Sequence, residues 1–328
     1  MGYRVASIDI GTVSTRLSMA HMRHAFDMVP TQKTVITNLG EGVDATGAFL
    51  PAAVDRVLTC CRDYCRDIRE FDADAVCVTL TSAARDASNS DDLLHGLQDL
   101  GLKPQVISGE LEAQLMFLGV AGDAVQEHIV VADSGGGSTE LASGVLMLGR
   151  GLEFDNLVSL NVGCRRITER YLHDGPLLQG EIDAAASFVA QLCIPYWQAV
   201  RECGQIPQRL LAVGGTVTTL AAMRMKLESY DAKLVHGYRL SFHEVEEFLA
   251  VTKGMHYAEI ASFPGIQPER VPVIRGGAII VRELMRRGEF EELFISERSL
   301  LAGVATVVFE HLDGQVLSLA WQPELSRL

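Results

Sequence analysis

Asp133-Ser134-Gly135-Gly136-Gly137-Ser138-Thr139 decides how this chain is read. The three glycines end one apolar run, His128–Ala132, and a second, Thr139–Leu146, begins just after them. Residues without a Cβ adopt backbone conformations that turn several N–H groups into one concavity, and such a nest binds anionic oxygen. Asp9-Ile10-Gly11-Thr12-Val13-Ser14-Thr15 repeats the arrangement 124 residues earlier, between the apolar strands Tyr3–Ile10 and Ser14–His21. Each turn joins a strand-end carboxylate, Asp9 or Asp133, to hydroxyl donors: Thr12 and Ser14 in one, Ser138 and Thr139 in the other. Carboxylates beside a phosphate nest repel it unless a cation lies between them, which argues for Mg²⁺ held largely by water and phosphate oxygen.

Outward from each turn the same order of elements recurs. The first half reads as strand, turn, strand, then a third strand within Phe26–Thr37, a helix over Thr46–Arg69 and a buried strand at Ala75–Leu80. Helix Asp91–Leu100, strand Gln105–Ile107 and helix Gly109–Val120 complete it. The second half adds a third strand near Val158–Asn161 and helices at Thr168–Leu172 and Gln179–Arg201. Strand Leu210–Val213 follows, with helices Thr216–Leu227, His243–Val251 and Arg270–Arg287, strand Leu293–Ile295 and a closing helix Leu300–His311. Two α/β halves in tandem, each with one such turn, invite a ligand between them.

A third turn, Val213-Gly214-Gly215-Thr216, ends a strand and opens a helix. It can receive phosphate or a nucleotide at the helix N-terminus, or serve only tight strand–helix packing. Neither a Walker A motif nor GxGxxG is present. Arg85 and Arg165-Arg166 follow strand ends, where a planar guanidinium can meet two phosphate oxygens; Arg282, Arg286 and Arg287 read as a solvated helix face. Periodicity alone favours a solvated side chain for Glu112. Glu140, one residue past Thr139, stands where a carboxylate more often orients a metal or water than reacts.

Composition narrows the classes. The chain has 328 residues, 48% hydrophobic, with a net charge of −14 and 23 Arg against 5 Lys. With no basic arm or stripe, a nucleic acid is not the expected partner. The longest charge-free run, Ala184–Val200, is interrupted by Gln191, Pro195 and Gln198, so no membrane partner is expected either. Seven scattered cysteines without zinc spacing read as buried reduced thiols, and with no apolar signal core at the start the expected compartment is the cytoplasm.

Taken in order, Ile8–Leu17, Thr81–Asn89, Ile107–Ala113, Val131–Leu141, Leu160–Glu169, Ala212–Thr216 and Arg270–Gly277 resemble the exopolyphosphatase and guanosine pentaphosphate phosphatase family, within the actin, sugar-kinase and heat-shock ATPase superfamily. The resemblance implies two ribonuclease-H-like, actin-like ATPase domains around a cleft. The first would span 1–122 and be joined by a C-terminal helix, 303–328; the second would span 123–302. It assigns Glu112 as the base that activates water, Glu140 as the second acidic position, and Asp9, Asp133 and Glu140 as metal-associated carboxylates. Arg85 and Arg166 become substrate-binding arginines, with phosphate held by Thr12, Val13, Ser14, Ser134, Gly135, Gly136, Gly137, Ser138, Gly214 and Gly215. The family pattern is altered at Val13, where Asn is usual, at Gln114, where Arg is common, and across Ser296–Gly303.

The expected activity is Mg²⁺-dependent hydrolysis of the terminal phosphoanhydride of inorganic polyphosphate by a homodimer, with K⁺ or another monovalent cation left open. Guanosine pentaphosphate (pppGpp) or a nucleoside triphosphate is the alternative substrate. A non-catalytic polyphosphate or nucleotide sensor is the alternative of another class; a kinase is disfavoured because kinases on this scaffold use an Asp base.

Overall fold

The computed structural model describes residues 2–25, 31–147 and 151–328. In chain order the elements are β1 (Tyr3–Ile10), β2 (Ser14–Met22), β3 (Thr31–Ile36), α1 (Val43–Thr46), α2 (Pro51–Phe71), β4 (Ala75–Leu80), α3 (Ser82–Asp86), α4 (Ser90–Asp99), β5 (Pro104–Val106) and α5 (Gly109–Ala121). They continue with β6 (Ile129–Ser134), β7 (Thr139–Met147), β8 (Gly151–Leu160), α6 (Cys164–Tyr171), α7 (Gln179–Glu202), β9 (Arg209–Val213), α8 (Gly215–Arg224), α9 (Ala232–Val235), β10 (Arg239–Ser241), α10 (Phe242–Thr252) and α11 (Tyr257–Ile260). A 3₁₀ turn at Pro268–Arg270 leads into α12 (Val271–Gly288), followed by β11 (Glu292–Ile295), α13 (Leu300–Leu312) and β12 (Leu325–Ser326).

Two compact units divide the chain: Met1–Asp123 with Leu148–Leu152 and Arg298–Leu328, and Ala124–Met147 with Glu153–Glu297. Each is α/β and holds its own apolar core. In the first, strands run β12-β4-β1-β2-β3, with β5 also on β4; in the second they run β10-β11-β9-β6-β7-β8. The duplication is visible in the pairing. β1 is antiparallel to β2 and parallel to β4, just as β6 is antiparallel to β7 and parallel to β9.

Several boundaries differ from those expected. A separate short α1 ends where Gly47 turns left-handed (φ 67°); the helix anticipated over Thr46–Arg69 is α2 and starts later, at Pro51, whose ring presets the first helical residue. Ala53, Val57, Cys61, Tyr64, Cys65 and Ile68 then form its buried stripe. Of the strand anticipated within Phe26–Thr37, Thr31–Ile36 is observed, and positions 26–30 lie outside the described residues. The closing helix, Leu300–Leu312, agrees with the reading of Leu300–His311 and does not run over 303–328 as the resemblance implied. Gly314 is left-handed (φ 67°), and Leu325 and Ser326 pair antiparallel with β4. Arg282, Arg286 and Arg287 are not merely solvated, because all three meet Glu283, which is 1% exposed, at 3.1 to 3.4 Å. A buried carboxylate demands partners, and one turn of helix brings three cations to it.

α13 packs on α5 and β1. A Cβ on Gly303 would collide with the Leu115 carbonyl of α5, and one on Gly119 with the Ser299 carbonyl, so both glycines serve backbone-to-backbone approach. Gly303→Val should therefore cost about 3 kcal/mol of unfolding free energy by overpacking, read from urea denaturation. An unchanged midpoint would contradict this packing. Six cysteines are buried and free, with Cys203 exposed. Burial pushes the Cys77 thiol up to about 12 and Cys193 up to about 11, and raises Cys60, Cys61, Cys65 and Cys164. Because the thiolate is the reactive form, a thiol reagent near pH 8 should titrate one cysteine in the native protein and all of them after denaturation.

Candidate functional site

The two turns anticipated from sequence are built alike. Gly11 N–H donates to Ser14 O at 2.9 Å, and Gly135 N–H donates to Ser138 O at 3.0 Å. Hairpin register then sets Asp9 opposite Arg16 and Asp133 opposite Glu140. Directly opposed residues of an antiparallel pair share one face, and here the electrostatics diverge. Asp9 Oδ2 accepts from Arg16 Nη2 at 2.6 Å and Nε at 3.0 Å, while its Oδ1 is buried with no hydrogen-bond partner. Asp133 instead stands beside a second carboxylate, Glu140, which is 1% exposed and accepts from Ser159 Oγ at 2.7 Å.

The first turn is held from outside. Thr12 O accepts from Gly40 N–H, and Val13 O from Thr37 and Asn38 N–H. Val13 itself is buried, so the position where the resemblance implies an Asn carries an interior methyl pair. Ser14 is half-buried at the start of β2.

In the second unit the nest is shaped by α6. Cys164 N–H donates to Gly135 O at 2.9 Å, and Arg165 and Arg166 N–H donate to Gly136 O at 3.0 and 3.3 Å. The helix N-terminus, whose first N–H groups lack intrahelical acceptors, thus takes the turn's carbonyls. For this reason the helix begins at Cys164 rather than Thr168 and carries Arg166 in its first turn. Arg166 is 7% exposed and its Nε donates to Gly137 O at 3.0 Å. With the carbonyls engaged, the N–H groups of Gly136, Gly137 and Ser138 have no backbone partner among the described residues. Ser134 behaves differently from expectation: its hydroxyl is buried and unpartnered, beside Ala212, Val217 and Leu284 in the interior of the unit, so only its backbone belongs to the turn.

The third turn has a structural use that the sequence left open. A Cβ on Gly214 (φ 94°) would lie 2.7 Å from Asp133 Oδ1, and one on Gly215 would coincide with the Arg270 guanidinium. These glycines let Asp133 and Arg270 approach the N-terminus of α8.

Glu112 and Arg85 are brought together in the first unit. Arg85 Nη1 donates to Glu112 Oε2 at 2.7 Å and to Ile107 O at 2.9 Å. Ser108 caps α5 by accepting from Leu111 N–H, and Glu112 sits in the first turn, where the helix dipole favours a carboxylate. Glu112 is 8% exposed, which overturns the solvated reading that periodicity alone gave.

Among the described residues no group of three or more His, Cys, Asp or Glu is gathered as a metal cage. Each unit taken by itself has donors that fit a hydrated Mg²⁺: in the second, the like-charged neighbours Asp133 and Glu140, and in the first, an orphaned buried oxygen on Asp9. Mg²⁺ keeps several waters and needs only one or two carboxylates.

Arg16, Ser159 and Arg270 were missed as site residues. Arg16 could have been found by counting the hairpin register across the first turn; Ser159 could not, because the register of β8 on β7 leaves no mark in the sequence.

Residues 19–310 match the family described as Ppx/GppA phosphatase. The chain is 34% identical to Exopolyphosphatase 2 of Mycobacterium tuberculosis, an alignment covering 92% of this chain and 97% of that protein. A crystal structure of an exopolyphosphatase-like protein superposes with a TM-score of 0.86 at 31% identity, covering 95% of this chain and 99% of that one. A Ppx/GppA family member from Aquifex aeolicus superposes with a TM-score of 0.77 at 27% identity, covering 96% and 100%.

Gly163 tests the nest. A Cβ there would strike the Gly136 carbonyl and come near the Gly137 nitrogen, so Gly163→Ala should weaken tripolyphosphate binding by about tenfold, equivalent to about 1.4 kcal/mol. Calorimetry showing unchanged affinity would remove the nest from phosphate binding.

Proposed function

The chain belongs to the Ppx/GppA phosphatase family, and from that membership we propose that it is an exopolyphosphatase that removes the terminal phosphate of inorganic polyphosphate. The observation that carries the reading is the Arg85–Glu112 pair: a buried carboxylate held at 2.7 Å by a guanidinium that has further N–H groups for phosphate oxygen. Glu112 orients a water in line with the terminal phosphorus and takes its proton. The shortened chain leaves with the electron pair of the broken P–O bond. Arg85 holds the oxygens of the phosphoryl group under attack, so that the base and the electrophile are positioned by one side chain. The N–H groups of Gly136, Gly137 and Ser138, with Arg166, hold inner phosphates, and Thr12 and Ser14 add hydroxyl donors. Mg²⁺ associated with Asp9, Asp133 and Glu140 would neutralise non-bridging oxygens when bound. Positioning and charge stabilisation are what phosphoryl transfer requires. The assembly we propose is a homodimer.

Purified protein with Mg²⁺ should release phosphate from long-chain polyphosphate. Release from pppGpp alone would transfer the reading to that substrate, ATP consumption only with an acceptor would make it a kinase, and binding without turnover a sensor. Glu112→Gln should lower kcat by about 10³-fold, the scale of a lost general base, while polyphosphate binding and the fold persist. Full activity in that variant would end the assignment. Arg85→Lys should rescue little of the loss seen in Arg85→Ala, because an ammonium cannot bridge the carboxylate and phosphate with a planar fork.

A further inference from the structure

We propose that Ser159 is the positioning residue for Glu140, an inference that rests on the proposed role of Glu140 in the hydrolase reaction. Glu140 lies at the end of the second sheet, opposite Asp133 in register and 1% exposed. Its Oε1 accepts from Ser159 Oγ at 2.7 Å. A carboxylate rotates freely about its last bond unless an oxygen is pinned, and a pinned oxygen fixes where the other lone pairs point.

The choice of donor matters as much as the bond. At the matching place in the first unit, Asp9 meets a cation, Arg16, which cancels its charge. A serine hydroxyl orients Glu140 while adding no charge of its own. The position of Ser159 is itself braced. Leu160-Asn161-Val162-Gly163 follows it directly, and this stretch is tied to the nest by Thr139 Oγ1 donating to Val162 O at 2.6 Å and by Cys164 N–H donating to Gly135 O. Nest and carboxylate are thereby aligned by one short segment.

The test is a double-mutant cycle on the phosphoanhydride that the wild-type protein turns over. Ser159→Ala should lower kcat by about tenfold, the scale at which partners of metal-associated ligands act, with KM changed less than about twofold and the melting temperature retained. Ser159→Thr keeps the hydroxyl and should restore most of kcat. Glu140→Gln should lower activity further, and in a Glu140→Ala background, which removes the acceptor oxygen, adding Ser159→Ala should cost nothing more. Wild-type kcat in Ser159→Ala beside an impaired Glu140→Gln would overturn the role of Ser159 and leave that of Glu140 standing. Equal impairment of the Ala and Thr variants with a lowered melting temperature would reduce Ser159 to packing. Full activity in Glu140→Gln would overturn both the inference and the role of Glu140 on which it rests.

Discussion

An α-helix begins with N–H groups that need acceptors, and in α6 those acceptors are the carbonyls of the glycine turn. Much of the second unit's site follows from that exchange. Once Gly135 O and Gly136 O face the helix, the N–H groups of the same turn face the other way and form an anion cradle. Gly163 must lack a Cβ for the two backbones to come this close. Arg166, two residues past the start of the helix, is left beside Gly137 O, to which its Nε donates. A side-chain cap such as the Ser108 hydroxyl of α5 would have satisfied the helix without shaping anything else.

Duplication supplied the same hairpin twice, and one cross-strand substitution separates their chemistry. Both turns close with a Gly-to-Ser backbone bond and set residue seven beyond the Asp opposite it. Arginine there makes Asp9 half of an ion pair with one spare oxygen. Glutamate there leaves Asp133 with a like charge as neighbour, an arrangement stable in the ionised form only with a cation or hydrogen-bond donors nearby. The fold is indifferent to the difference, because either residue suits a strand end. The chemistry is not.

Local periodicity made the strands, the major helices and the paired turns legible, since each is written in residues that touch one another along the chain. The order of strands within each sheet was not read from the sequence; only the recurrence of the hairpin in the two halves was. What escaped was decided at a distance. The start of α6 depends on carbonyls nearly thirty residues earlier, so its boundary was placed too late. Glu112 looked solvated because its partner, Arg85, lies 27 residues away, and helical spacing knows nothing of α3. The arginines of α12 looked like a wet face because the pattern cannot show that Glu283 among them is buried. The two glycines after Val213 were recognised as special, but whether they admit a phosphate or a neighbouring side chain is a question of space.

A net charge of −14 at first argues against any polyanionic ligand, yet it bears on the proposed reading in the opposite sense. Net charge governs solubility and long-range steering. A nest acts at contact distance, through oriented N–H dipoles that the chain's total charge scarcely alters. A broad basic groove would hold polyphosphate and nucleic acid alike, since both present a run of phosphates and the release of counterions rewards either. An acidic surface with a few short-range donors instead favours a ligand whose phosphates can be enclosed and whose charge a bound cation can offset. Most of the 23 arginines then need no role in binding; those with ion-pair partners around Glu283 already have one in the fold. Selectivity on this account comes from how few cations face the ligand, and acidity elsewhere is part of the device rather than an obstacle to it.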